Sequence, residues 1–292
     1  MKKLSIIIAT GLISLAAAAQ NPTSEALPFM QLDYNPSSLA MGSTVVPTAT
    51  LLPFCDIKVA GGVTYQNYLP RISATQYIGG GMAGRLDKIG YSISFVHGTG
   101  EKIYVMDATV DYYVPRDILL NAGVSYAFVD FMALGVNVKY AKETPWINSS
   151  IDGLAADVIL AGKVNDIDFT AGVSSIGPKV KSQSSAEYDL PGAITVGAGY
   201  RYEASDEHAL TIRAKLDSYF TSGLAAGAGV EYCWSGMVSA RAGYHYGGES
   251  IVPTFASAGL GICYSGITLD AAYLFASDVL GGTFAISAGV RF

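Results

Sequence analysis

Residues that carry chemistry are scarce in this chain. It holds three histidines (His97, His208, His245) and three cysteines (Cys55, Cys233, Cys263) among 292 residues. No histidine lies at a spacing that marks a nucleophile elbow or a metal-ligand set. Three cysteines at no metal spacing offer neither a zinc site nor a paired disulfide framework. No catalytic residue, metal or cofactor is expected. The run Gly79, Gly80, Gly81 is no phosphate loop, because no helix follows it. Charge is low as well, at 14% of residues. Removing Lys2 and Lys3 from the 18 basic residues leaves 16 against 24 acidic ones, a net charge near −8. That balance argues against nucleic acid as a partner. Beyond the N-terminus no apolar run approaches the roughly 18 residues that a membrane helix needs.

What the chain has instead is hydrophobicity spread through alternation. Half of it is hydrophobic, and the mean hydropathy is +0.34. In the last twelve residues Phe284, Ile286, Ala288, Val290 and Phe292 alternate with Thr283, Ala285, Ser287, Gly289 and Arg291. Period-2 alternation means a strand with one greasy and one wet face. The pattern recurs around Leu134–Tyr140, Ile194–Tyr202, Leu210–Asp217 and Val238–Tyr246. The face opposite the aliphatics is mostly Gly, Ala, Ser and Thr with a few charges, as expected of a confined, hydrated lumen. In lipid, a hydrophobic chain without helix-length runs satisfies its backbone only by closing into a barrel.

The expected fold is all-β, a 14-stranded antiparallel transmembrane barrel. Alternation and turn residues place strands at 57–67, 73–86, 89–98, 115–128, 131–143, 151–163, 166–177, 191–203, 207–218, 221–233, 236–247, 254–264, 266–276 and 281–292. Residues 102–114 are expected as an ordered loop or strand extension. Turns after even-numbered strands are short, whereas 99–114, 144–150, 178–190 and 248–253 are longer, the asymmetry of outer-membrane barrels. Even strands also end on aromatics, including Tyr126, Phe128, Tyr200, Tyr202, Tyr232, Tyr264 and Phe292, an interfacial girdle. In this register Ile212, Val238, Ala242, Ile286 and Val290 face lipid, while Arg213, Arg241 and Arg291 face the lumen. Arginine at Ala242 should cost about 2–4 kcal/mol. At Gly243 it should be tolerated unless it strikes a plug.

Residues 1–19 read as a signal peptide: Lys2 and Lys3, an apolar stretch from Leu4 to Leu15, then a small-residue site ending at Ala19. Export to the outer membrane follows. Residues 20–56, broken by prolines, are expected as an N-terminal plug inside a barrel of 57–292, with one helical turn near Ser38–Ser43. A lumen this wide cannot be filled by wall side chains alone.

Four segments carry a family resemblance: Leu134–Tyr140, Gly153–Asp157, Thr170–Lys179 and Leu190–Tyr202. Their order is similar to that of PorV/PorQ proteins, FadL-like outer-membrane barrels of the Bacteroidetes, and Leu39–Ser43 resembles that family's Leu-Gly-Met-Gly-Gly segment. The Asn-Pro-Ala element that follows in the family is absent. The resemblance implies transport or type IX protein secretion without chemistry. Its partners would be outer-membrane lipid, secretion-system components or secreted cargo. The alternative function is a FadL-like channel for hydrophobic small molecules, which needs an apolar pocket at the plug. Leu27, Phe29, Met30, Leu51, Leu52 and Phe54 are its candidate lining.

Two further sets complete the candidates. Lys139, Asp157, Arg201, Arg213, Lys215, Glu231, Arg241, Asp270 and Arg291 share the inward parity. Mixed signs on neighbouring strands suggest a structural charge ladder, since charges in a low-dielectric wall need partners. Gly79, Gly80 and Gly81 suggest either a lateral gate at a strand kink or close plug packing.

Overall fold

The computed structural model describes residues 25–45, 49–70, 73–104, 112–147, 149–181, 186–248, 252–275 and 280–292. Fourteen strands form one closed sheet: β1 (Val59–Tyr68), β2 (Thr75–Leu86), β3 (Ile89–Thr99), β4 (Arg116–Val129), β5 (Met132–Trp146), β6 (Ser149–Val164), β7 (Ile167–Ile176), β8 (Ala193–Ser205), β9 (His208–Tyr219), β10 (Gly223–Trp234), β11 (Val238–Tyr246), β12 (Phe255–Tyr264), β13 (Ile267–Phe275) and β14 (Phe284–Arg291). Each strand pairs antiparallel with the next, and β14 closes on β1 through a register running from Ala60 opposite Arg291 to Asn67 opposite Phe284. Closure continues into the last residue: Phe292 N–H donates to the Val59 carbonyl (2.8 Å), and its own carbonyl accepts from Lys58 N–H (2.7 Å). No edge is left, so every wall strand has partners on both sides.

The register gives each strand an apolar outer face. Ile212, Val238, Ile286 and Val290 are exposed on the outside, whereas Arg213 and Arg241 turn inward onto carboxylates. With lipid outside, these aliphatics are solvated by acyl chains, and the barrel spans the membrane.

One end is closed by tight turns at 87–88, 130–131, 165–166, 206–207, 235–237 and 265–266. Positive φ at Asp87, Asn165, Ser235 and Ser265 lets these turns follow the twist of the strands. Gly266 (φ +82) meets the same demand, and Tyr264, two residues before it, ends its strand exposed. Longer connections gather at the other end, at 69–74, 100–115, 177–192, 247–254 and 276–283. The expected loop at 144–150 is shorter than alternation suggested. β5 and β6 stay paired to Trp146 and Ser149, across one register irregularity. Their 15 and 16 residues rise about 38–40 Å at a tilt near 40°, more than the ~25 Å apolar band requires. This hairpin therefore stands beyond the membrane. Among the described residues, 102–104 and 112–114 contribute no wall strand. Ile103–Tyr104 pairs with Tyr112–Tyr113 in a small separate hairpin, and Val180–Lys181 pairs with Glu187–Tyr188 in another.

Residues 25–45 and 49–56 run through the lumen. Ala26 N–H donates to the Asp189 carbonyl at the long-loop end. A 3₁₀ turn (Pro28–Gln31) and the helix α1 (Pro36–Leu39) follow, the latter capped by the Asn35 side chain, which accepts from Ser37 N–H. The helical turn thus starts two residues before the expected Ser38, because proline suits the first helical position. A second 3₁₀ segment (Ala49–Phe54) lies near the short-turn end before the chain enters β1. The signal-peptide expectation for residues 1–19 lies outside the described residues.

Candidate functional site

The interior is divided by height. Near the long-loop end it is apolar: Leu27, Phe29, Met30 and Leu39 of the plug pack with Tyr68, Phe255 and Leu274 of the wall, all buried. Near the short-turn end the plug is held by polar contacts. Ser125 donates to the Ala49 carbonyl (2.8 Å), and Arg85 donates to the Pro53 carbonyl (3.4 Å). Leu51, Leu52 and Phe54 lie here, half-buried. The six candidate lining residues therefore fall into two groups at opposite ends of the lumen. Only Leu27, Phe29 and Met30 belong to the buried apolar cluster.

Between the two ends the plug turns against bare backbone. Gly42, at φ +72, lies against the wall: a β-carbon there would stand 2.4 Å from the Tyr244 carbonyl oxygen. Gly227, Gly229 and Gly243 receive residues 41–42, and Gly259 receives the Ala40 methyl. The small inward face read as a hydrated lumen is, at this height, a seat for the plug.

Glycine has a second use on the inner wall. Arg213 of β9 binds Asp168 of β7 through two parallel hydrogen bonds (2.8 and 2.7 Å), reaching across β8. The β8 residue between them is Gly199, in register with both. Any β-carbon there would come within 3.1 Å of the carboxylate and the guanidinium. Arg241 of β11 likewise crosses Gly261 of β12 to reach Asp270 of β13, and it also binds its cross-strand neighbour Glu231. Skipping a strand over a glycine turns neighbouring charges into a bonded girdle.

Two more pairs extend the girdle. Lys139 meets Asp157 at 2.8 Å, and the other bonds to Asp157 come from Asn137 and the Ser175 N–H. Lys215 meets Asp217 at 3.0 Å, with Thr195 donating to Asp217. Asp157 and Asp217, both buried, are each held by at least two partners, as buried charges require. Of the other candidates, Arg201 pairs only with exposed Glu203 at the short-turn mouth, and Arg291 is exposed with no ion pair among the described residues. Sequence reading missed Asp168, Asp117 and Glu143. All three sit at inward parity on their strands, so the alternation that found the others contained the signal.

Gly79, Gly80 and Gly81 lie in an unbroken double ladder, opposite Thr64, Val63 and Gly62 of β1 and Val96, Phe95 and Ser94 of β3. The nearest atoms are those of β3, joined by β1 at Gly79 and Gly80, and not those of the plug, so the expected strand kink and the expected close plug packing are both absent at these three residues. An apolar groove of about 560 Å³ runs over the outside of β12, β13, β14, β1 and β2, lined among others by Val63, Ile78, Leu260 and Ile286. His245 stacks on Phe255 with ring centroids 5.0 Å apart. His208 bonds Tyr232 at the surface (2.6 Å). The three cysteines are free and half-buried. In the plug, desolvation raises the Asp33 carboxyl above its ordinary value, and burial does the same for Glu25.

The closed 14-stranded antiparallel barrel matches the fold of FadL-like outer-membrane barrels. The chain is similar to the toluene transporter TbuX of Ralstonia pickettii, at 12% identity over 90% of this chain and 100% of that one, with a TM-score of 0.59. It is similar to the monoaromatic hydrocarbon channel CymD (11% identity, 89% and 97% covered, TM-score 0.61). A FadL homologue of Pseudomonas aeruginosa also resembles it (13% identity, 95% and 98% covered, TM-score 0.51). No protein-family model and no curated protein matches the chain.

Proposed function

We propose that this chain is an outer-membrane channel that passes a hydrophobic small molecule through a plugged lumen, without doing chemistry. The observation that carries this reading is the apolar cluster in the long-loop half of the lumen. There Leu27, Phe29 and Met30 present a greasy plug surface to Tyr68, Phe255 and Leu274 rather than to a polar wall. A polar-solute pore would line this entrance with hydrogen-bonding groups, whereas an apolar solute gains about 25 cal/mol per Å² buried there. Two similar structures, a toluene transporter and a monoaromatic hydrocarbon channel, support the same class of solute. Short turns then face the periplasm and the long-loop end faces outward.

The test is uptake into proteoliposomes of toluene, a fatty acid and a neutral sugar of similar size. Toluene or fatty-acid uptake well above that of empty vesicles, with no sugar uptake, supports the reading. Equal permeation of all three, or of none, overturns it.

A second reading, a PorV/PorQ-type role in type IX secretion with secreted cargo as partner, is supported by the four resembling segments at 134–140, 153–157, 170–179 and 190–202. Deleting the gene separates the two. Loss of secreted cargo with unchanged hydrocarbon uptake favours secretion, and the reverse favours the channel.

A further inference from the structure

One register row on the inner wall near the long-loop end differs from the girdle below it. Gln66, Tyr77, Gly98, Asp117 and Glu143 follow one another on β1 to β5, each directly opposite the next. Tyr77 donates its hydroxyl to Asp117 at 3.0 Å. Gly98 makes this possible, since a β-carbon there would lie 2.5 Å from the Tyr77 ring and 3.0 Å from the carboxylate.

Asp157, Asp168, Asp217, Glu231 and Asp270 each have a cationic partner. Asp117 and Glu143 stand side by side with no ion pair among the described residues. Gln66 supplies an independent sign that something is missing. It is only 2% exposed, projects from the same row beside Tyr77, and its Oε1 has no hydrogen-bond partner. Three tyrosine rings close one side: Tyr34 of the plug lies edge-to-face on Tyr77 (5.2 Å), and Tyr68 does the same from β1 (6.2 Å). The row therefore offers two carboxylates, a free amide oxygen and aromatic faces, all of them acceptors of positive charge. The apolar cluster around Leu27 and Phe29 adjoins it.

We propose that this row binds the protonated amine head of an amphipathic small molecule whose apolar tail lies in the adjoining cluster. The proposal rests on the channel reading and names its substrate class. Adjacent carboxylates in a weakly screened wall attract an ammonium and repel a carboxylate head, while ring faces favour a cation over a neutral hydroxyl. Fatty-acid anions are then poor ligands and alkylammonium ions good ones.

The experiment uses the full chain in zwitterionic nanodiscs, with empty nanodiscs as the blank. Binding of hexylammonium, 1-hexanol and hexanoate is measured by calorimetry. Hexylammonium should bind at least tenfold tighter than either of the others. In the double variant Asp117→Asn with Glu143→Gln its affinity should fall to that of 1-hexanol, while 1-hexanol itself binds unchanged. Equal affinities for the three probes on the unaltered chain would overturn the proposal, as would a double variant that keeps the ammonium preference. Should the double variant not fold, the order of the three probes on the unaltered chain decides. Failure of the channel reading looks different: the ammonium preference persists, yet no probe or hydrocarbon crosses a proteoliposome.

Discussion

Gly243 of β11 meets Gly42 of the plug so closely that a β-carbon on Gly243 would lie 2.2 Å from the Gly42 nitrogen. The lumen is occupied at that point, so an arginine at Gly243 would strike the plug rather than enter water. Even Gly243→Ala should unseat residues 41–42, an overpacking cost of about 1–3 kcal/mol, while leaving the wall ladder intact. Single-channel recording should show a larger conductance for Gly243→Ala, with the heat-dependent gel mobility of a folded barrel retained. Unchanged conductance would mean that the plug does not seal here.

Gly199 offers a second test of close packing. Alanine there would push Arg213 and Asp168 apart, although neither is itself changed. Loss of a half-buried bidentate pair together with the overpacking should lower stability by about 1–3 kcal/mol in urea titrations of the refolded barrel. An equivalent change at Gly223, where nothing lies within 4 Å, tests a different cost, because its φ of +84 strains any side chain without crowding it.

Arg241→Met would leave Glu231 and Asp270 half-buried and without their cationic partner. Breaking a buried pair by removing one partner costs about 3–5 kcal/mol. Arg201→Ala removes only an exposed pair with Glu203, so its effect should stay under about 1 kcal/mol. Equal losses in urea titrations of the two variants would contradict the burial ascribed to Arg241.

Asp33 gives the plug a pH dependence of definite sign. Desolvation raises its carboxyl, and Glu25 shifts the same way. The folded chain therefore holds these protons more tightly than the unfolded chain. Their stabilising effect is complete below the ordinary carboxylate range near pH ~4, and it is lost as pH rises through the raised values. Exchange protection of plug amides, corrected for intrinsic rates, should be higher in mild acid than at neutrality, and Asp33→Asn should flatten the difference. A plug better protected at neutral pH would contradict this sign.

Strand number and parity were legible because each wall strand must bury one face in lipid, and that requirement writes period 2 into the sequence. Ile212 beside Arg213 and Val290 beside Arg291 show it residue by residue. Ion-pair partners were less legible. Asp168 and Arg213 are 45 positions apart and meet only because Gly199 lies in register with both, a coincidence of three strands that no local pattern contains. The plug seat was misread for a related reason. An inward glycine looks alike in sequence whether it faces water, a crossing arginine or the backbone of Gly42. The pairing of β5 and β6 out to Trp146 and Ser149 was hidden because this prolonged hairpin leaves the membrane, where alternation is no longer enforced.

The wall faces lipid outside and a plugged lumen inside. Ala242 points outward at the middle of β11, whereas Thr268 points inward two residues from Asp270 on β13. Refolding of Ala242→Arg and Thr268→Arg into bilayers, followed by urea titration, tests this directly. Ala242→Arg should lose about 2–4 kcal/mol, as a cation at mid-bilayer does, while Thr268→Arg should fold with near-native stability. Equal stabilities for the two variants would contradict the parity of the barrel.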